Sequence, residues 1–280
     1  MTELQELRRY RRDLHRIPEL DFDLPQTIAY IEGVLAPLTC EVTHPCPSCV
    51  CAFFDAGVDA AHATAIRADM DALPIAEATG AAFASIHPGK MHACGHDGHM
   101  AMALAAATYV DRTIREQPGV MRRNVLFVFQ PAEEKLAGAR DMVENGVLEN
   151  PHVDAAFAMH IGTGNPESPV GSVKFTKGPS HASGDSFRII VQGKGCHGAS
   201  SYQGVDAISV AAHILIALEE IPAREVPADQ LSIVTVGVFR GGSACNIIAD
   251  TATLEGTIRA LSPENREFLI RRVREVAESI

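Results

Sequence analysis

Residues 124–134 read NVLFVFQPAEE: a compact apolar run that stops at Gln130 and Pro131 and is followed by two adjacent carboxylates. Such a run, bounded by turn residues, predicts a buried strand. Two more runs share the texture, TAIRADMD at 64–71 and VDAAFAMH at 153–160. Between them, residues 98–115 are rich in Ala and Met at helical spacing, and 135–145 predict a short helix closed by Gly146. Strand and helix alternate, which predicts an α/β fold with a mostly parallel sheet covered by helices on both faces. Ligands collect at the C-terminal strand ends of such sheets. Asp69, Glu133, Glu134 and His160 all fall there.

Working outward, residues 2–17 predict a helix ended by Pro18, and 26–36 a second one. Beyond Lys177-Gly178-Pro179 the pattern restarts with the strand SFRIIVQG, a helix over 206–221, the strands LSIVTVGVF and TATLEGTIRA, and a charged amphipathic helix over 263–280. The succession β-α-β-β-α is a split β-α-β unit lacking its last strand. Two domains are expected, 1–182 and 183–280.

The chain has 280 residues, 46% of them apolar, enough for a sizeable core. Acidic residues outnumber Lys and Arg 35 to 24, so a nucleic-acid partner is not expected. The start, MTELQELRRYRRDLHRIPEL, is charged throughout and carries neither a secretory signal nor a bilayer span, which predicts a soluble cytoplasmic protein with no membrane partner. Seven cysteines, an odd number, suit free thiols. Four of them, Cys40, Cys46, Cys49 and Cys51, cluster around CPSC and could hold a structural zinc or cycle as a dithiol, although no second CxxC is present.

MHACGHDGHM, residues 91–100, crowds donor side chains at the start of a helix. Cys94 and His96, two apart, can face one centre, and thiolate with imidazole suits zinc and related ions. In QPAEE one carboxylate can bind metal while its neighbour handles protons. Burying both for packing alone would be costly. Each residue also has an ordinary explanation: His160 as a hydrogen-bonded strand-end histidine, Glu133 and Glu134 as caps on the next helix. Their convergence on one rim favours a metal centre.

RRDLHRIPEL, RADMDALP, MHACGHDGHMA, FQPAEE, GKGCHGA, GGSACNIIAD and GTIR resemble, in order, the metal-dependent aminoacylase and hippurate hydrolase family, which includes N-acyl-amino-acid amidohydrolases and auxin-conjugate hydrolases. The resemblance implies a metallopeptidase-like catalytic domain and a smaller ferredoxin-like α+β lid and dimerisation domain. It further implies two divalent metal ions, zinc or manganese, held by Cys94, His96, Glu134 and His160. Glu133 is then the general acid/base, a carboxylate free of metal that takes a proton from activated water and hands it to the leaving amine. Asp69 orients a ligand.

By the same resemblance His197 reaches across a homodimer interface to stabilise an oxyanion, and Asn246 and Arg259 bind substrate. The guanidinium fork of Arg259 suits the free carboxylate of an N-acyl amino acid or small peptide. Read without the resemblance, His197 is equally an exposed loop residue and Arg259 a surface ion pair. His92 and His99 are expected to hydrogen-bond around the site.

The family continues beyond this sequence, closing both domains and adding one more metal-binding histidine. A site short of that ligand would hold one metal better than two, and the unfinished sheet would expose apolar surface or an edge strand. Two rival expectations follow: a catalytically silent relative acting as a metal-binding or dimerisation module, and a dinuclear phosphoesterase.

Overall fold

A computed structural model describes residues 2–58, 62–162 and 169–280. The chain forms two compact units, Met1–Ser168 and Pro169–Ile280.

In the first unit, α1 (Glu3–Arg16) begins with a capping box: the Thr2 hydroxyl accepts from the Gln5 amide, and the Gln5 side chain accepts from Thr2 N. It ends ahead of Pro18, and α2 (Pro25–Leu35) opens on a proline at its first position. There follow β1 (Glu41–Thr43), β2 (Val50–Phe54), β3 (His62–Asp69), α3 (His96–Glu116), β4 (Asn124–Gln130), α4 (Gly138–Glu144) and β5 (His152–Ala158). The strands form one sheet in the order β1-β2-β4-β3-β5. β3 runs parallel to β4 and β5, whereas β2 runs antiparallel to both of its neighbours. Four strands therefore point one way and β2 alone points back, because β1 and β2 are joined by a short connection that can only return antiparallel.

The sheet separates two cores by the two-residue period of its strands. Val125, Phe127 and Phe129 of β4, with Val50, Ala52 and Phe54 of β2, pack beneath Leu14, Ile31, Leu35, Met100 and Leu104 of α1, α2 and α3. Leu126 and Val128, with Cys51, Ala63 and Ala65, pack on the other face with Met142 of α4 and with Val147, Cys46 and Cys49. Every residue of β4 is buried. Each filled phenylalanine position contributes roughly 1.5–3 kcal/mol of transfer free energy.

Two elements differ from the sequence reading. Among the described residues β5 is the sheet edge, paired with β3 alone, and its residues are exposed or half-buried rather than buried. Its apolar texture resembles that of β4, but β3 and β4 take the centre of the sheet. The helix expected from 135 starts only at Gly138, because residues 132–137 form a loop with left-handed backbone at Ala132 and Leu136.

The second unit contains β6 (Asp185–Gln192), β7 (Cys196–His197), α5 (Ala207–Arg224), β8 (Ser232–Gly241), β9 (Ile247–Ile248), β10 (Thr251–Ala260) and α6 (Pro263–Ser279). β6, β10 and β8 make an antiparallel sheet in that order, and β7 with β9 makes a two-stranded ribbon that the sequence reading did not foresee. Asp206 caps α5 through the amides of Ile208 and Ser209, and Ser262 caps α6 through Asn265 N. Ala211, Ile214, Leu218, Leu269 and Val273 of the two helices bury one face of the sheet against Ala252, Leu254 and Ile258. Among the described residues, no helix is long and apolar enough to cross a membrane.

Candidate metal centre

Gly95 precedes α3 with φ +97°, and a Cβ there would collide with the Ile161 side chain. This left-handed residue turns the chain between Cys94 and His96 so that both face one centre. His96 Nδ1 lies 2.7 Å from the Asp71 carbonyl, which can only accept, so Nδ1 carries a proton and, in the neutral ring, Nε2 presents its lone pair. Nε2 is buried without a hydrogen-bond partner among the described residues. It sits 3.7 Å from Asp69 Oδ2 and 3.8 Å from both Glu133 Oε2 and Glu134 Oε1. A buried lone pair facing three carboxylates repels them unless positive charge comes between.

His160 follows β5. Its Nδ1 donates to the Ile161 carbonyl at 2.6 Å, which leaves Nε2 facing Cys94 Sγ at 3.3 Å. Ligand atoms of Cys94, His96 and His160 lie within 4.8 Å of one another, as do those of His96, Glu133 and Glu134, and those of Asp69, His96 and His99. His96 belongs to all three groups. Burial, then the charges of Glu134, Glu133 and Asp69, push the Cys94 thiol up to about 12. Burial, reinforced by Glu133, also raises Glu134. Burial first, and the neighbouring carboxylates second, thus disfavour negative charge on these donors, a setting that a divalent cation fits.

The loop carrying the two glutamates is shaped by its backbone. The Ala132 N–H, at φ +47°, donates to the Asp21 carbonyl at 3.0 Å. At Gly138 a Cβ would run into the Pro131 carbonyl. The N-terminus of α4 has no side-chain cap, so neither Glu133 nor Glu134 serves as one.

The fully buried Asp71, to which the sequence reading gave no role, organises this loop. Its Oδ1 accepts the Glu133 amide at 2.9 Å, its Oδ2 the Glu134 amide at 3.1 Å, and its carbonyl takes His96. A second acid two positions beyond Asp69 at the same strand end was the available signal. Asp97 was likewise missed. This buried carboxylate on the first turn of α3 receives His15 Nδ1 at 2.7 Å and Arg11 Nε at 2.9 Å, tying α1 to the N-terminal end of α3.

Asp69 lies 2.6 Å from His99 Nδ1 and 2.8 Å from Arg67 Nη1. Burial alone would raise its carboxyl, but the His99 hydrogen bond and the nearby His96 and Arg67 outweigh it and bring it to about 2. His99 Nε2 accepts the Ile161 amide at 3.0 Å, so Nδ1 is the protonated nitrogen that donates to Asp69. His99 thus hydrogen-bonds around the site as expected. His92 does not. It is buried with both ring nitrogens lacking partners among the described residues, and burial lowers it to about 4, so it packs as a neutral ring.

His197, Asn246 and Arg259 belong to the second unit. His197 pairs with Ile247 across the β7–β9 ribbon, and Gly198 N donates to the Asn246 carbonyl at 2.8 Å, which sets the two residues side by side. His197 Nδ1 accepts from Ala199 N at 3.1 Å, leaving an exposed Nε2–H. Arg259 lies on β10 opposite Ile233, exposed and without an ion pair among the described residues, so the surface-pair reading is not realised. The cysteine turn is reduced: Cys46 N donates to Cys49 Sγ at 3.2 Å, and all seven cysteines are free. Among the described residues, no three donors of that cluster lie within 4.8 Å of one another, so the structural-zinc reading gains no support.

The family model described as Peptidase family M20/M25/M40 matches residues 65–280. The chain is 39% identical over 271 residues to the N-acetyl-L-cysteine deacetylase of Bacillus subtilis, covering 96% of this chain and 63% of that protein. To the N-acetyldiaminopimelate deacetylase of the same organism it is 39% identical over 291 residues, covering 99% and 72%. Among solved structures, a putative aminohydrolase from methicillin-resistant Staphylococcus aureus superposes with a TM-score of 0.86 at 33% identity, over 98% of this chain and 69% of that one. A dinuclear metal-binding peptidase of the M20 family from Bacillus subtilis does so with 0.78 at 35%, over 99% and 70%. The chain thus spans less than two thirds of the length of the first of these relatives.

Proposed function

Because the chain belongs to Peptidase family M20/M25/M40, we propose that it is a metal-dependent amidohydrolase acting on N-acyl amino acids, N-acetylated ones foremost. The observation that carries this reading is the buried, unpartnered Nε2 of His96, turned toward Asp69, Glu133 and Glu134 beside the Cys94–His160 pair. Cys94, His96, Glu134 and His160 would hold two divalent cations, zinc or manganese, with His96 oriented by the Asp71 carbonyl and Asp69 bound to His99 beside it. When bound, such cations supply Lewis-acid polarisation of an amide carbonyl and make water acidic enough to attack near neutral pH.

Glu133 does the proton work. It accepts a proton as the water oxygen adds to the carbonyl carbon, and returns that proton to nitrogen as the C–N bond breaks, releasing an amine and a carboxylic acid whose remaining proton passes to solvent or to the amine. Its backbone is held by Asp71, so its carboxylate is presented from a fixed loop. His197 offers its Nε2–H to the developing oxyanion, Asn246 binds the substrate amide, and Arg259 receives the substrate's free carboxylate. In this reading the 183–280 domain serves as lid and dimerisation module, and His197 acts from a second copy of the chain.

Metal content measured alongside hydrolysis of N-acetylcysteine, N-acetyldiaminopimelate and hippurate tests the proposal. Turnover that requires zinc or manganese and disappears in Glu133→Gln supports it. Bound metal with no amide hydrolysis points instead to the silent binding module, and cleavage of phosphate esters alone would reassign the chemistry.

A further inference from the structure

The first unit contains another group of metal donors at the opposite end of its sheet. His62 opens β3 and His152 opens β5, and the two residues face each other in the β3–β5 register. Their rings stand edge to face with centroids 5.5 Å apart. The register shifts between Ala63 and Thr64, which pair with Val153 and Ala155, so Asp154 is the extra residue of a β-bulge. Bulges re-aim a side chain out of the regular alternation. Here Asp154 Oδ1 comes to 2.9 Å from His62 Nδ1 and 3.7 Å from His152 Nε2. Its other oxygen is taken by Arg123, which leaves Oδ1 to the histidines. One ligand atom from each of the three residues falls within 4.8 Å of the others, and all three side chains are exposed.

We propose that His62, His152 and Asp154 form a second site for a divalent transition cation of the zinc, nickel or copper class, which clips the edge strand β5 to β3. Two imidazoles and one monodentate carboxylate match the donor preference of those ions and not that of calcium or magnesium, which take oxygen. The three ligands are supplied by two adjacent strands. Seven steps of β3 separate His62 from Asp69, about 23 Å of extended chain, so this cation is remote from the candidate catalytic centre. Binding to the native pairing of β3 and β5 alone raises stability by mass action.

Equilibrium dialysis of the full chain against zinc, followed by elemental analysis, tests the site. The wild type is expected to retain one zinc per chain more than the His62→Asn/His152→Asn variant, while both hydrolyse substrate at the same rate. Zinc added beyond catalytic loading should raise the thermal midpoint of the wild type and leave that of the variant unmoved. Equal zinc uptake and equal midpoint shifts would overturn the proposal. Should the double variant fail to fold, the single His152→Gln variant gives the same comparison. The readout does not depend on the hydrolase reading, since extra zinc lost with these histidines supports the site even in a chain without turnover.

Discussion

The carboxylate of Asp71 holds Glu133 by its backbone, accepting its N–H at 2.9 Å from a buried position two residues beyond the end of β3. The side chain proposed for proton work thereby has its position set by a residue given none. Replacing Asp71 by Asn turns one acceptor oxygen into a donor aimed at an amide. We expect Asp71→Asn to lower kcat about 10- to 100-fold, as loss of a ligand-orienting partner does elsewhere. Steady-state kinetics together with bound-metal analysis would show it. A variant with wild-type kcat would mean that the loop holds itself.

Glu133 and Glu134 are adjacent in sequence but are assigned different work. Glu133→Gln should reduce kcat roughly 10²- to 10⁴-fold with metal content intact. Glu134→Gln should lose metal first and activity as a result. Identical metal loss in both variants would erase the distinction.

Gly138 permits the tight passage of the chain beside the Pro131 carbonyl. In Gly138→Ala the new methyl meets a backbone atom that cannot swing away, so the glutamate loop must shift. A loss of about 1–3 kcal/mol is expected, with weaker metal uptake. Thermal unfolding and metal titration of the variant read both effects.

Asp111 supplies a pH dependence away from the metal centre. Burial would raise its carboxyl, but the Thr39 hydroxyl at 2.7 Å, the Thr39 amide at 2.8 Å and Arg115 at 2.7 Å outweigh it and hold the group below its ordinary value. A depressed folded-state value contributes stability that is fully present above the unfolded carboxyl's titration and is lost as pH falls through the folded one. Asp111→Ala should therefore cost about 2 kcal/mol near neutrality and progressively less in acid. Denaturant midpoints across pH 2–7 would test the convergence of variant and wild type.

Much of the architecture was legible because β4 is apolar at its five central positions, 125–129, and buried at all seven, so composition and placement agree. The residues at 153–158 have the same texture, yet β5 lies at an edge. Strand order is a property of the whole sheet that no local run encodes. At the site, the adjacency of Glu133 and Glu134 and the Cys94–His96 spacing were readable as chemistry. Asp71 was not, since strand-end spacing does not say which acid turns back to bind amides. For His99 a sharper signal existed: positions i and i+3 share a helix face, which puts its ring beside that of His96, with centroids 5.4 Å apart. The short β7–β9 ribbon, two residues on each side, lies below what alternation can mark.

The hydrogen bond from Ala132 to Asp21 bears on where a working fragment can be cut. The span matched by the family model starts at residue 65, but the glutamate loop leans on a residue forty-odd positions earlier, and Leu14, Ile31 and Leu35 roof the sheet that carries it. An expression boundary drawn at the edge of sequence likeness would strip that roof and leave a sticky slab with a misaligned rim. The opening two helices belong to the smallest piece worth purifying.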